Sequence, residues 1–283
     1  MEFRVTCRLA YAITGSASFL FNVAPEQNLY QRIITEDLQL VGSAACHELL
    51  IGRQRFHRVL WTADRLELNY TAVLELNPQF PDPDTLEARP LHELPPEVLV
   101  FLYPSRFCQS DLLARFANRE FKQIESGFER VTRFCNWIYE YVEYLPGLTN
   151  SSTSAFDTAT QRAGVCRDFA HLGIAFSRAL GIPARFVSCY AFGLTPPDFH
   201  AHFEAFLGDQ WILFDPTRLS PQSSFVRIGH GRDAADSSFA TIVGNASLIQ
   251  MGVSTDIGPA NPKATTPQFV TVPISTCPSL APP

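Results

Sequence analysis

The sequence predicts an α+β protein in which an antiparallel β-rich region comes first and a region of helices with a second sheet follows. Two observations lead to this prediction. Residues 2–76 form short β-rich runs separated by Gly, Pro, Asn or Asp, whereas residues 112–180 contain stretches with helical periodicity. Three strand candidates follow those stretches, so the second region is expected to carry a sheet of its own.

Alternation of apolar and polar residues supports the β-rich region. Leu66, Leu68 and Tyr70 fall on one face of a strand, and Glu67 and Asn69 fall on the other. Such a pattern is typical of an antiparallel sheet that has one buried and one wet side. No convergent set of reactive side chains is visible in this region.

Six prolines between residues 77 and 96 separate the two regions. Proline lacks a backbone N–H and disfavours helix interiors and central strands, so we expect a linker here. Beyond it, apolar residues three and four apart predict one long helix from about Leu112 to Tyr144, which Pro146 ends.

A second helix is predicted from about Arg167 to Leu180, because an apolar stripe runs along it and Gly181 follows as a stop signal. Cys166 is therefore expected in its first turn. The strand candidates that follow cover residues 185–192, 200–207 and 211–215.

These elements divide the chain into four predicted segments. They are a β-rich N-terminal domain over residues 1–76, a Pro-rich linker over 77–97, a helix-and-sheet domain over 98–250, and a Pro/Thr/Ser-rich tail over 251–283. We expect the tail to be partly disordered.

Composition and charge exclude several classes of protein. Hydrophobic residues make up 46% and charged residues 18% of the chain, which is ordinary for a globular protein. A net charge of −6 offers no positive field to nucleic acid. The seven cysteines show no CxxC pair, and the N-terminus MEFRVTCRLAY resembles neither a signal peptide nor a membrane span. We therefore expect a reducing, cytoplasmic location and no membrane partner.

Cys166 is the candidate nucleophile. At the start of a helix it would face unpaired backbone N–H groups and the positive end of the helix dipole, which favour a thiolate. Gly164 lets the backbone turn sharply before it, and Arg167 and Asp168 indicate a polar surrounding. A small buried hydrophobic cysteine is an equally good interpretation of these residues alone.

A base and a carboxylate are predicted on the hairpin that follows. Strand alternation places His200, His202 and Glu204 on one face. If the hairpin loop has two residues, Asp215 lies opposite His202 and diagonal to His200 on that face. A three-residue loop would move Asp215 to the other face, so the geometry requires a two-residue turn or a compensating bulge. Alternation does not choose between the two histidines.

Together a thiol, an imidazole and a carboxylate supply what thiol-mediated acyl transfer needs. The backbone N–H of Cys166 would stabilise the oxyanion that forms on the substrate carbonyl. Tyr144 and Gln161 are the candidates for the second oxyanion donor.

Residues 164–192, GVCRDFAHLGIAFSRALGIPARFVSCYAF, and residues 198–218, DFHAHFEAFLGDQWILFDPTR, strongly resemble the transglutaminase-like superfamily. The resemblance is to its bacterial branch of transglutaminase-like cysteine proteases with an N-terminal β domain. Weaker similarity extends to residues 103–111 and 231–244. It implies a papain-like, transglutaminase-core fold, in which a helix carrying the cysteine packs against an antiparallel sheet.

The resemblance also assigns roles to individual residues. The family's cysteine corresponds to Cys166 in GVCRD and its aspartate to Asp215 in FDPTR. Its histidine corresponds to His200 rather than His202, because Glu204 follows four residues later in HAHFE.

Position 202, which is usually aromatic in the family, is a histidine here. His202 could line the acyl pocket, share in proton transfer, or bind a soft metal together with Cys166 and His200. Because a third ligand with normal spacing is missing and coordination would occupy the nucleophile, we expect neither a metal nor a cofactor.

Supporting roles are predicted for the remaining polar residues. His171 is expected to be a structural histidine, Cys189 a core residue, and Glu204 a hydrogen-bonding group at the sheet edge. Residues expected to cap the helix start or line the cleft are Arg167, Asp168 and Arg185. Residues expected to shape the cleft or form a structural ion pair are Arg232, Asp233 and Asp236.

The predicted function is a cysteine enzyme acting on a protein or peptide substrate through a thioester. Water as acceptor would make it a protease or amidase, and an amine would make it a transglutaminase that joins glutamine to lysine. We favour hydrolysis, because an intracellular crosslinking enzyme would be hazardous. A non-catalytic binding scaffold is the third alternative, although scaffolds of this fold typically lose a triad residue.

Overall fold

The computed structural model describes residues 1–42, 45–124, 126–258 and 272–278. Residues 259–271 and 279–283, which are most of the predicted tail, lie outside the described residues. The prediction that the tail is partly disordered therefore also concerns residues outside the described ranges. The strands are β1 (Glu2–Phe21), β2 (Gln31–Val41), β3 (Cys46–Ile51), β4 (Gln54–Trp61), β5 (Arg65–Leu76), β6 (Glu143–Tyr144), β7 (Ala163–Gly164), β8 (Ala184–Tyr190), β9 (Phe199–Leu207), β10 (Gln210–Phe214), β11 (Val226–Gly231) and β12 (Ala240–Ile257). The α-helices are α1 (Ser110–Phe121), α2 (Gly127–Tyr141), α3 (Ala155–Gln161) and α4 (Cys166–Ala179).

The predicted α+β fold class is confirmed, and the N-terminal region is an antiparallel sheet. Its strand order is β2-β5-β1-β4-β3, and β12 pairs with β1. The predicted alternation in β5 is confirmed, because Leu66, Leu68 and Tyr70 are buried. The two strands expected before residue 25 are one continuous strand, β1, whose register with β12 shifts between Thr14 and Ala17.

Strand β12 does not follow the predicted segments. The boundary predicted at residue 250 falls inside β12, which pairs with β1 from Phe3↔Ile257 to Phe21↔Ala240. Residues 240–257 therefore complete the N-terminal sheet and belong neither to the helix-and-sheet region nor to a loose tail. Pairing satisfies the backbone N–H and C=O groups along one whole edge of β1, which would otherwise need water.

The Pro-rich stretch is packed rather than loose, which corrects the prediction of a linker. It forms short 3-10 turns at Pro83–Thr85, Leu91–Glu93 and Pro96–Leu102. Proline is compatible with these turns because it is the first residue of two of them, Pro83 and Pro96, and directly precedes the third as Pro90, and an N–H at these positions has no partner to lose. Leu86, Leu94 and Val98 are buried.

The prediction of a single long helix from Leu112 to Tyr144 was wrong, because this stretch forms two helices, α1 and α2. Ser126 caps the start of α2 by accepting a hydrogen bond from the N–H of Glu129 at 3.4 Å. Gly127 lies so close to the Pro-rich stretch that a Cβ there would be 2.5 Å from the backbone nitrogen of Ala88. Packing against a distant segment therefore decides where α2 begins.

The second sheet has the order β10-β9-β8-β11, and α4 packs on it. Helix α4 and strands β8, β9 and β10 confirm the predicted elements within one residue or two at each end. Gly173 lets α4 approach closely, since a Cβ there would be 2.4 Å from the ring of Phe203. α3 and β11 were not predicted.

The hairpin between β9 and β10 has the two-residue loop on which the predicted site depended. Gly208 and Asp209 have φ of 53° and 63°, as a type I′ turn requires. Gln210 pairs with Leu207, and Phe214 pairs with Phe203. The register is therefore the one that directs Asp215 to the face of His200.

The two sheets share buried contacts. The hydroxyl of Tyr190 on β8 donates to the carbonyl of Val23 at 2.7 Å, and Val226 and Ile228 on β11 pack into the core of the N-terminal sheet. In the described residues, no helix combines the length and apolar character needed to cross a bilayer.

Candidate active site

Cys166 is the first residue of α4 and is half-buried. The buried carboxylate of Asp168 accepts a hydrogen bond from the N–H of Val165 at 3.0 Å, which fixes the helix start. Gly164 is needed for this contact, because a Cβ there would be 2.7 Å from Cβ of Asp168. The predicted capping role of Asp168 therefore agrees with the structure, and Arg167 donates to the same carboxylate at 2.9 Å.

Nε2 of His200 and Oδ2 of Asp215 form a hydrogen bond of 2.9 Å. Both residues are buried, His200 with 2% and Asp215 with 4% of its surface exposed. Thr217 holds the carboxylate, since its N–H and its hydroxyl donate to Oδ1 at 3.0 and 2.8 Å. Both groups are thus oriented, and both lie out of water.

The charges of this pair are mutually stabilised. Burial alone would lower the pKa of His200, but the Asp215 carboxylate and a hydrogen bond with Cys166 raise it to about 10. Burial would raise the pKa of Asp215, but His200 and the donors from Thr217 lower it. The imidazole is therefore protonated at neutral pH and lies between a carboxylate and the thiol.

Tyr144 lies against Cys166. Strands β6 and β7 pair in parallel with Tyr144 opposite Gly164, which brings the tyrosine beside the start of α4. Burial raises the pKa of Tyr144, and the charge of the neighbouring Cys166 raises it further. The hydroxyl therefore keeps its proton. Gln161, the other candidate donor, is exposed at the end of α3, so the structure does not support its predicted role.

Cys166 and His200 line a cavity of about 500 Å³. The walls are mostly apolar and include residues from α4, β8, β9, β11 and β12. The aromatic members are Phe107, Phe186, Phe199 and Phe239, and the charged members other than His200 are Arg167 and Asp198. Its size and apolar character suit a ligand with a substantial hydrophobic part.

His202 is not part of this cavity, which corrects the prediction that it could line the acyl pocket. It is 1% exposed, its Nδ1 lies 3.5 Å from Sγ of the buried Cys189, and burial lowers its pKa to about 3. It is therefore a neutral core histidine. No group of three or more His, Cys, Asp or Glu side chains in the described residues has the geometry of a metal site.

Glu204 lies in the central strand β9, fully buried, and not at the sheet edge as predicted. Arg185 donates to its carboxylate at 2.7 Å, so Arg185 neither caps α4 nor lines the cleft. Arg227 bridges Glu204 and Glu26 of the N-terminal region, with 3.0 Å between its Nε and Oε2 of Glu26. These four residues form a buried ion network that joins the two sheets.

The remaining predicted residues, on α4 and after β11, are not among the residues that line the cavity. His171 is buried, accepts a hydrogen bond from the N–H of Ala234 at 3.1 Å and stacks on Phe107, as a structural histidine does. Asp233 accepts from the N–H of Phe107 at 2.9 Å and so positions a cavity wall. Arg232 and Asp236 form an ion pair of 2.8 Å.

Comparison with known proteins agrees with this geometry. A crystal structure from Cytophaga hutchinsonii named "Putative Cysteine Protease" is 42% identical, covers 97% of both chains and superimposes with a TM-score of 0.92. The profile of the transglutaminase-like superfamily matches residues 115–216, a range that contains Cys166, His200 and Asp215. The chain belongs to the transglutaminase-like superfamily. The resemblance predicted from the sequence is confirmed.

Other relatives match over shorter stretches. An uncharacterized protein of Mycobacterium leprae is 35% identical over 115 residues, which is 38% of this chain and 41% of that protein. An uncharacterized protein of Mycobacterium tuberculosis is 36% identical over 115 residues, which is 35% of this chain and 36% of that protein. The matched region thus spans about two fifths of each relative or less.

Two residues of this transglutaminase-like site were missed from the sequence. Thr217 could have been found, because an Asp two residues before a Thr favours a turn in which the carboxylate accepts the N–H of the Thr. Asp198 could not, because a single carboxylate in a loop has no pattern that distinguishes it from a solvated one.

Proposed function

We propose that this transglutaminase-like protein hydrolyses peptide or amide bonds through a thioester on Cys166, with His200 and Asp215 completing a catalytic triad. The observation that carries the proposal is the buried His200–Asp215 hydrogen bond of 2.9 Å beside Cys166, at a cavity large enough for part of a peptide.

The reaction starts from the pair of a Cys166 thiolate and a His200 that holds its proton. In the first half, Sγ of this thiolate attacks the substrate carbonyl carbon and the C=O electron pair moves to oxygen. The tetrahedral intermediate then collapses, the C–N bond breaks, and the leaving nitrogen takes the proton held by His200. The products are a thioester on Cys166 and a free amine. His200 is now neutral and becomes a base.

In the second half, neutral His200 takes a proton from water, whose oxygen attacks the thioester carbonyl. The C–S bond breaks, and the products are a carboxylic acid and the thiolate paired with protonated His200. Asp215 acts by holding the imidazole through Nε2, which leaves the other ring nitrogen to face Cys166 and the substrate.

The negative oxygen of the two intermediates needs hydrogen-bond donors. The backbone N–H of Cys166 at the start of α4 is one, and the hydroxyl of Tyr144 is the second that we propose. Its contact with Cys166 and its raised pKa support this role, because a hydroxyl that keeps its proton can donate it to an oxyanion.

Hydrolysis is favoured over acyl transfer because the relative that is 42% identical carries the name of a protease. Transfer to an amine uses the same thioester and differs only in the acceptor. The substrate class is accordingly a protein or peptide, and we keep the proposal of a reducing, cytoplasmic location.

Alkylation by stoichiometric iodoacetamide tests the nucleophile. Exposed Cys46 is a control within the same chain. We expect Cys166 to be labelled well before Cys46, and His200→Ala to reduce its rate to that of Cys46. Equal rates at the two cysteines in the unmodified protein would contradict the triad and favour a binding scaffold.

A second measurement separates hydrolysis from transfer. The protein is incubated with a glutamine-containing peptide and a fluorescent amine, and the products are followed by mass spectrometry. Cleavage, or release of ammonia without amine incorporation, is the expected result. Incorporation of the amine would show a transglutaminase instead.

A further inference from the structure

Asp198 is a carboxylate of the cavity wall to which the proposed mechanism gives no role. It precedes His200 by two residues, at the end of the loop that leads into β9, and it is accessible. Its carboxylate accepts one hydrogen bond, from the N–H of Phe199 at 2.7 Å, and within the described residues no Lys or Arg pairs with it.

The other charged groups of the cavity are already paired. Arg167 donates to Asp168 and to the carbonyl of Asn150 at 2.9 and 2.8 Å, and His200 is bound to Asp215. Asp198 is therefore the charge that remains available to a ligand. Partial burial raises the pKa of Asp198, although the hydrogen bond from Phe199 and the charge of His200 act in the opposite direction.

The apolar wall around this carboxylate is aromatic. The rings of Phe199 and Phe239 stack at 5.2 Å with 17° between their planes, and Phe107 and Phe186 also line the cavity. Aromatic faces attract cations and pack against alkyl chains. A carboxylate beside such a wall suits a side chain with an apolar stem and a positive end.

The position of Asp198 indicates which part of the substrate it meets. His200 gives its proton to the leaving nitrogen, so the leaving-group half of the substrate must pass His200. Because Asp198 lies on the same segment and lines the same cavity, that half is the part that comes closest to it.

We propose that Asp198 makes the site selective for substrates whose leaving-group half carries a cationic side chain with an apolar stem, as lysine and arginine do. This inference rests on the proposed function for the direction in which the substrate lies. It assigns Asp198 to binding and selectivity and not to bond cleavage.

Alkylating reagents of different charge test the inference without a known substrate. The probes are 2-bromoethylammonium, iodoacetamide and iodoacetate, with which a thiolate forms an S–C bond while the halide leaves. The rate at Cys166 is measured by mass spectrometry and expressed as the ratio of cationic to anionic reagent. The intrinsic reactivities of the reagents cancel when this ratio is compared between variants.

We expect Asp198→Asn, which keeps the shape of the side chain, to lower the ratio at Cys166 about fivefold, as loss of one accessible charge pair would. Asp198→Lys should favour the anionic reagent. Glu140→Gln removes a charge from the exposed surface of α2 and should leave the ratio at Cys166 unchanged. The ratio at Cys46 should be the same in every variant. Equal ratios in the unmodified protein and in Asp198→Asn would overturn the inference.

Quenched peptides that differ only in the residue after the cleaved bond, lysine or norleucine, test the leaving-group side. We expect kcat/KM to favour lysine about fivefold, through KM, and Asp198→Asn to remove the preference while turnover of the norleucine peptide persists. Incorporation of 1,5-diaminopentane into a glutamine-containing peptide is measured alongside, as a test of an acceptor amine. If Asp198→Asn abolishes this incorporation and leaves the preference for the lysine peptide unchanged, Asp198 binds an acceptor amine and the inference is overturned. Failure of the proposed function gives a different result, because Cys166 would then be alkylated no faster than Cys46. The ratio of cationic to anionic reagent at that slower Cys166 still reports on Asp198.

Discussion

Strand β9 carries two buried charged clusters on one face, and they differ in what surrounds them. His200 with Asp215 lies beside Cys166 and the cavity, whereas Glu204 lies four residues along with two arginines and Glu26. Both clusters contain groups whose pKa values are strongly shifted. Shifted charge therefore does not distinguish a reactive site from a structural one, but contact with a cavity and a nucleophile does.

The network around Glu204 has its own physical purpose. Bringing charges out of water is costly unless each is paired, and Arg227 meets Glu204 on β9 and Glu26 in the loop between β1 and β2. Arg227 has 0% of its surface exposed, so loss of either partner would leave a charge buried without compensation. The network thus fixes how β9 and β11 meet the loop after β1, whereas the His200–Asp215 pair borders the cavity.

The largest effect expected from this comparison is on turnover. His200→Ala should reduce kcat about 10⁴-fold or more, because the base and the acid of both half-reactions are lost together. The free energy of unfolding should change far less. Peptide hydrolysis and urea denaturation measure the two quantities, and a variant that retains a tenth of the activity would contradict the assignment.

The next effect is on stability, at the other cluster. Arg227→Met should lower the free energy of unfolding by about 3–5 kcal/mol, because Glu204 and Glu26 would stay buried with less compensation. Arg32→Met is the matched control, since the Arg32–Glu75 pair is exposed at 66% and 49% and should be worth less than about 1 kcal/mol. Similar losses in the two variants would show that the buried network is not special.

A smaller effect concerns pH. The pKa of His200 is raised to about 10, so its contribution to stability is fully present below its unfolded value of about 6.5 and is lost as the pH rises through 10. The alkaline limb of the rate profile should fall in the same range, because the leaving amine needs the proton. Asp215→Asn should move that limb about one to three pH units lower. The measurement is the pH dependence of the rate for the unmodified protein and for Asp215→Asn. An alkaline limb at the same pH in both would show that Asp215 does not raise the pKa of His200.

The smallest effect is expected at the neighbouring imidazole. His202→Phe should leave kcat within about twofold and change the free energy of unfolding by less than about 1.5 kcal/mol, as shape-compatible core exchanges do. The Nε2 atom of His202 is buried without a hydrogen-bond partner in the described residues, so the ring loses little by becoming apolar. A large fall in kcat would show that His202 takes part in the reaction.

The sequence predicted best what depends on neighbours along the chain. The start of α4 near Cys166 and the apolar face of β5 follow from periodicity and stop signals, whereas the register of β9 with β10 followed only on the condition of a two-residue loop. The choice of His200 over His202 did not follow from them, because alternation puts both on one face. It needed the resemblance to a family.

What the sequence could not predict depends on contacts far along the chain. The break before α2 is set by the segment around Ala88, and the charge of buried Glu204 is compensated by Arg227, which also pairs with Glu26 in the loop between β1 and β2. Strand β12 shows no alternation because much of it is exposed on both faces. Patterns of local periodicity carry no information about such partners.

The pairing of β1 with β12 also has a consequence for synthesis and folding. Phe3 meets Ile257, so this sheet is completed only after the ribosome has made the chain as far as residue 257. The segment from β6 to β11, which holds the candidate triad, emerges before the strand that closes the first sheet. Contacts between residues this distant in sequence form slowly, and domains fold as they emerge from the ribosome. We therefore expect the segment from β6 to β11 to fold while one edge of β1 is not yet paired with β12.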